Sequence, residues 1–285
     1  MALYLRLPTT AGFNIDNEII IIKAFNANEP EQSLYGKDVN IIASGPSIQQ
    51  LSLPDLLQTP TIFVNGSFSL TEHHDFTDIA GYVISDARFI NHQPEILRQH
   101  YTGQPLYATL AVFEAMATTH PDIMRTYHQV MRVLYPVDRP WGVKSNKLSF
   151  NKLLFKKKRL NKKMPLSYFI NHPNFIIDGS HSSAEIGVSL NITHGFVEAG
   201  TVAYVATQLA FSRHAATIHL YGIDLLNSDQ PRFYEDDSNR APSMLNKVTN
   251  ERIVPSFNLL GKTYKAHGVS VINHSPVSKT LFDFL

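Results

Sequence analysis

Five short polar runs carry the side chains able to handle a phosphorylated ligand: Ser44-Gly45-Pro46-Ser47, Asn65-Gly66-Ser67, Asp86 with Arg88, Gly222-Ile223-Asp224, and Arg232-Phe233-Tyr234. A Ser-Gly-Pro-Ser loop at a helix start offers free N–H groups to a phosphate or ribose. The same residues are ordinary turn chemistry, and they lack both the lysine of a P-loop and the spacing of a dinucleotide fingerprint. Asp86 and Arg88 supply a carboxylate that can take a proton and a guanidinium that can grip an anion; the bland reading is a surface ion pair. Asp224 reads either as a cap or as a catalytic group. Arg232-Phe233-Tyr234 suits a nucleotide's phosphate and base, or simply a packed loop.

Other chemistries are excluded or disfavoured. Without cysteine there is no disulfide, thiolate metal site or thiol nucleophile. The 13 histidines show no HExxH or similar ligand spacing, and Glu235-Asp236-Asp237 reads as an exposed acidic turn rather than a Mg²⁺ site. No metal is expected. No Gly-x-Ser-x-Gly elbow supports a hydrolase.

The elements that must position these groups are buried strands. Val39-Asn40-Ile41-Ile42-Ala43 runs into the Ser44–Ser47 turn, Thr61–Val64 into Asn65-Gly66-Ser67, and Gly81–Ile84 into Ser85–Arg88. Apolar strands ending in small polar residues are the signature of a parallel α/β sheet, whose ligands bind at the carboxyl ends. The small-residue run Gly200–Ala210 predicts a helix close to the sheet, followed by the strand Thr217–Tyr221 and its tip at Gly222–Asp224. An amphipathic helix over 251 to 266 leads to Val269–Ile272 and the tip Asn273-His274-Ser275-Pro276. Apolar residues at helical spacing between 107 and 135 predict helices on the sheet. The fold expected is α/β, Rossmann-like and mostly parallel. Residues 1–37 form an N-terminal extension, and 38–285 form one domain with a basic insertion or lid at 136–180.

The 285 residues suit one large core, and 44% hydrophobic with 17% charged residues excludes wholesale disorder. No stretch approaches the about 20 apolar residues that span a bilayer, and the start lacks a secretion signal. The net charge of +1 hides an uneven distribution. Between Arg139 and Ile177 there is no acidic residue, and Lys152, Lys156, Lys157, Lys158, Arg159, Lys162 and Lys163 cluster there. Their partner is expected to be an anionic membrane surface or acceptor phosphate rather than nucleic acid, because interleaved aromatic residues are sparse.

Taken in order, SGPS (44–47), VNGS (64–67), SDARF (85–89), GTVAYVATQLAF (200–211), GIDL (222–225), RFYED (232–236), APS (241–243) and NHSP (273–276) resemble the bacterial transferases that add a further 3-deoxy-D-manno-octulosonic acid (Kdo) to the lipopolysaccharide inner core. More distantly the chain is similar to bacterial CMP-sialic-acid-dependent sialyltransferases. The resemblance implies a CMP-linked 2-keto acid sugar as donor, a lipid-anchored glycan as acceptor, no further cofactor, and a cytoplasmic enzyme peripheral to the inner membrane. Donor contacts are expected from Ser44, Gly45, Pro46, Ser47, Asn65, Gly66, Ser67, Gly200, Thr201, Gly222, Asp224, Arg232, Tyr234 and Ser275. The sialyltransferases' basic histidine has no counterpart between Glu235 and Tyr264, so the base must differ. Asp86 is the first candidate and His194 the second, with Arg88 or Arg232 holding the sugar carboxylate or phosphate. The alternatives are a sialyltransferase, a pterin pyrophosphokinase and a non-catalytic nucleotide-sugar binder.

Overall fold

The computed structural model describes residues 6–140, 163–180, 185–226, 231–235 and 248–285. The five central strands are β3 (Asp38–Ile42), β4 (Thr61–Val64), β5 (Ile79–Ile84), β6 (Leu106–Thr109) and β7 (Met131–Leu134). They are nearly continuous apolar runs, buried on both faces as parallel strands require. Ile41, Ile62, Val64 and Val83 point into one core, while Ile42, Phe63, Tyr82 and Ile84 point into the other. Strands β10 (Thr217–Tyr221) and β11 (Ser270–Asn273) join the opposite edge of β3.

One expectation is corrected here. Residues 106–109 and 131–134, read within a helical stretch, are strands; helices occupy α3 (Leu110–Thr119) and α4 (Pro121–Tyr127) between them. Four fully buried residues show no alternation, so each strand merges with the periodic helix beside it. The first 37 residues contribute two strands to the sheet, β1 (Thr10–Ile15) and β2 (Glu18–Ala24). They form a hairpin whose Asp16-Asn17 loop has φ of 49° and 69°, the double left-handed geometry of a tight two-residue turn. β2 pairs in parallel with β7, and buried Arg132 ties the two regions through Glu29 at 3.2 Å.

The sheet order is β1-β2-β7-β6-β5-β4-β3-β10-β11. Helices α1 (Ala87–His92), α2 (Pro94–His100), α3 and α4 bury their apolar sides against one face. The other face carries α5 (Val202–Ser212) and α6 (Val254–Ala266). Ala203, Ala206 and Ala210 let α5 approach the strands closely. Residues 163–180 belong to a small unit in which β8 (Phe175–Asp178) pairs antiparallel with β9 (Ile186–Ser189). Lys163 pairs there with buried Asp138 at 2.9 Å. Lys152, Lys156, Lys157, Lys158, Arg159 and Lys162 lie outside the described residues.

Candidate active site

The connections run one way from β3 through β7 and the other way from β3 through β10, so the topological switch point falls between β3 and β10. In open α/β sheets the ligand crevice lies outside the carboxyl ends at that point. The register pairs Ile42 with Tyr221, which sets the Ser44–Ser47 loop directly against Gly222–Asp224.

These two loops lock together. Gly45 N–H donates to the Gly222 carbonyl at 2.9 Å. Asp224 is 7% exposed, and its two carboxylate oxygens accept from the Ser47 N–H and the Ser47 hydroxyl, each at 2.7 Å. A Cβ on Gly45 would lie 2.5 Å from the Asp224 carboxylate, and Gly222 sits at φ +68° with no room beside Ile48 and the Ala43 carbonyl. Asp224 therefore acts through Ser47 as a clamp. The β11 tip completes it: Ile223 N–H donates to Ser275 Oγ at 2.7 Å, and the Ser278 hydroxyl donates to the Ile223 carbonyl.

The β4 tip adds the next wall. Ser67, fully buried, donates to the Ile42 carbonyl at 2.5 Å and accepts from Val64 N–H at 3.0 Å. Asn65 adopts φ +49°, and its buried Oδ1 has no hydrogen-bond partner among the described residues. Gly66 supports the Tyr234 ring so closely that a Cβ would lie 1.9 Å from it. Burial, with hydrogen bonds to Ser44 and Arg232 acting against it, pushes the Tyr234 hydroxyl up to about 12, so it stays a neutral donor at physiological pH. Beneath it the buried Tyr82 hydroxyl also has no partner among the described residues; its ring stacks on Phe68 at 4.2 Å. Each of these two orphaned polar atoms carries a desolvation cost of about 1–3 kcal/mol. Tyr82 carries no sequence signal, since it reads as one more apolar strand residue.

Arg232 hydrogen-bonds Glu235, a partly buried pair at the crevice mouth. α5 follows the crossover and presents its N-terminus at this same end of the sheet, with Thr201 capping Ala203 N–H and Gly200 at φ +88°. Arg139 pairs with Glu198, whose carbonyl also accepts from Arg252 at 2.8 Å.

The structure does not gather every expected residue. Asp86 caps α1 by accepting Arg88 N–H at 2.9 Å, and its carboxylate takes Nε and Nη2 of the same arginine at 2.8 and 2.5 Å. Burial raises the Asp86 pKa, but the Arg88 hydrogen bonds outweigh it and the net shift is downward. Such a carboxylate is a weak base. His194 is exposed on a turn whose neighbour Thr193 accepts from Ala27 N–H, just past β2. In the sheet order β2 is five strands from β3, about 24 Å at ordinary strand spacing. Among the described residues no cluster of three or more metal-ligating side chains is present, and no helix is long and apolar enough to cross a membrane.

Sheet and crevice define a Rossmann-like α/β protein with its ligand loops at the switch point. The chain belongs to the family described as 3-deoxy-D-manno-octulosonic acid transferase WaaZ, which matches residues 28–282; it is a glycosyltransferase. A probable 3-deoxy-manno-octulosonic acid transferase of Salmonella typhimurium (strain LT2) is 26% identical over 227 residues, covering 79% of this chain and 78% of that protein. Its counterpart in Escherichia coli (strain K12) is 26% identical over 253 residues, covering 87% and 81%.

Proposed function

We propose that the enzyme transfers Kdo from CMP-Kdo to a hydroxyl of a lipid A-linked Kdo in the lipopolysaccharide inner core, inverting the anomeric centre in a single displacement. The observation that carries the donor assignment is the unpartnered Oδ1 of Asn65, held in the left-handed region at φ +49° next to Gly66, on which the Tyr234 ring rests. A hydroxyl or amino group of the nucleotide satisfies it. The Ser44–Ser47 loop and the start of α5 offer N–H groups and positive dipole to the phosphate. Tyr234, neutral and hydrogen-bonded, donates to the oxygen that becomes negative as CMP leaves. Arg232 adds positive charge, tempered by Glu235. A single-phosphate leaving group needs no divalent ion under this arrangement.

The acceptor's lipid anchor gives the basic run around Lys156 to Lys163 a physical purpose, since each cation near an anionic leaflet adds about 1 kcal/mol of attraction. The enzyme then works from the cytoplasmic face as a peripheral protein. The test is calorimetry with CMP, together with CMP release from CMP-Kdo against CMP-sialic acid. Binding should weaken about tenfold or more in Asn65→Ala and in Tyr234→Phe. Unchanged affinity in both variants moves the donor site elsewhere, and preference for CMP-sialic acid makes the enzyme a sialyltransferase.

A further inference from the structure

His274 is an exposed side chain set between two buried, pinned neighbours. Its neighbours Asn273 and Ser275 are 2% and 1% exposed, Ser275 N–H donates to Asn273 Oδ1 at 3.0 Å, and His274 N–H donates to the Leu220 carbonyl at 2.8 Å. The imidazole stacks on Tyr221 with 4.7 Å between ring centroids and 10° between planes. Tyr221 ends β10 at the switch point, and its ring borders the same core cluster as Phe233 and Tyr234. The second imidazole, His219, comes from within β10 and meets His274 through Nδ1 and Nε2 at 2.9 Å. A surface histidine held by a stack, a backbone bond and another histidine is far better fixed than solvation alone requires.

We propose that His274 is the catalytic base for the acceptor hydroxyl and that His219 is its positioning residue. The inference rests on the donor reading above. When His274 Nε2–H donates to His219 Nδ1, the His274 Nδ1 lone pair is left free, and His219 orients the ring as the third member of a hydrolase triad does. The acceptor O–H proton passes to His274 Nδ1 as the oxygen bonds to the Kdo anomeric carbon. The bond from that carbon to the CMP phosphate oxygen breaks, and its electron pair leaves with CMP. The imidazolium then returns its proton to water.

The surroundings keep the base unprotonated near neutrality. Burial lowers the pKa of His274, and His219 and Lys279 lower it further; burial lowers that of His219 too, with Asp38 on β3 opposing. Tyr221 is neutral and faces the ring. The base is therefore ready above a pKa that lies below the ordinary histidine value, and activity is lost as pH falls through it.

The experiment measures kcat, KM and pH profiles for His274→Ala, His274→Gln and His219→Asn, with CMP affinity by calorimetry as the check on folding. His274→Ala should lose about 10²- to 10⁴-fold in kcat at unchanged CMP affinity, lose the acidic limb of its profile, and regain activity with added imidazole. His274→Gln preserves a polar side chain and should be equally slow. His219→Asn should move the acidic limb. A His274→Ala enzyme within about threefold of wild type, with the limb in place, overturns the base. Failure of the wild type to bind CMP overturns the donor reading instead.

Discussion

Replacing Asp224 tests whether the switch-point loops are held by the clamp described above. The carboxylate accepts two short bonds from Ser47 at 2.7 Å in a site only 7% exposed. Hydrogen bonds to a charged partner contribute about 1.5–3 kcal/mol each, so Asp224→Ala should cost about 3–6 kcal/mol. In a chain of this size each kcal/mol lowers Tm by about 2 °C, giving a drop of about 6–12 °C. Asp224→Asn keeps the shape: its oxygen accepts the Ser47 N–H and its amide donates to the hydroxyl. Neutral bonds are about half as strong as charge-assisted ones, so its loss should be about half that of the alanine variant. CMP affinity should fall in the same order, by at least about tenfold for alanine, because Ser44 and Gly45 lose their registration on Gly222. Differential scanning calorimetry and titration with CMP read both quantities. An alanine variant that melts within about 1 °C of wild type, binding CMP normally, shows that the loops are held by something else.

Other outcomes follow from the same geometry. Gly66→Ala pushes against the Tyr234 ring and should abolish CMP binding while the fold melts within a few degrees of wild type; retained binding removes Tyr234 from the site. Asp86→Asn should slow turnover by less than tenfold, because asparagine still caps α1 and the carboxylate serves Arg88; a loss of about 10²-fold or more returns the base role to Asp86. Arg213, buried under Gln32 and Ala80 carbonyls at 2.5 and 2.6 Å, leaves both unsatisfied when changed to Met, a cost of about 2–6 kcal/mol and a Tm drop of about 4–12 °C. Changing Lys156, Lys157, Lys158 and Arg159 to Ser should weaken low-salt binding to anionic liposomes by about 10³-fold, with activity on a water-soluble acceptor kept; equal co-sedimentation of both proteins defeats the membrane role.

The strands that build the crevice were legible because each is an apolar run ending in a small polar turn, and those turns mark the ends of β3, β4, β5, β10 and β11. The hairpin escaped for a physical reason. Glu18-Ile19-Ile20-Ile21-Ile22 places isoleucines on both faces, with Ile19 66% and Ile21 50% exposed while Ile22 is fully buried, so the strand alternates in burial but its sequence shows no polar–apolar alternation. Its partner β7 was equally hidden, since Arg132 sits inside it and is paired with Glu29 and Glu31 from far away in the chain.

Legibility of the site divides along a different line. Residues that hold the backbone in place, such as Gly45, Gly66 and Gly222, announce themselves by type, because only glycine tolerates those contacts and that φ. What a side chain does once placed depends on its neighbours in space, which strand order alone decides. Asp86 and His194 have suitable chemistry, but one is spent on Arg88 and the other stands at the far end of the sheet. His219 and His274, 55 residues apart, become a pair only because β10 and β11 are adjacent and in register, with His219 opposite Ile272. The same adjacency brings Ser275 to Ile223, so a single parallel pairing both closes the donor clamp and presents the imidazole beside it. On this proposal the nucleotide grip is shared by the tips of β3, β4, β10 and β11, whereas the imidazole pair belongs to β10 and β11 alone.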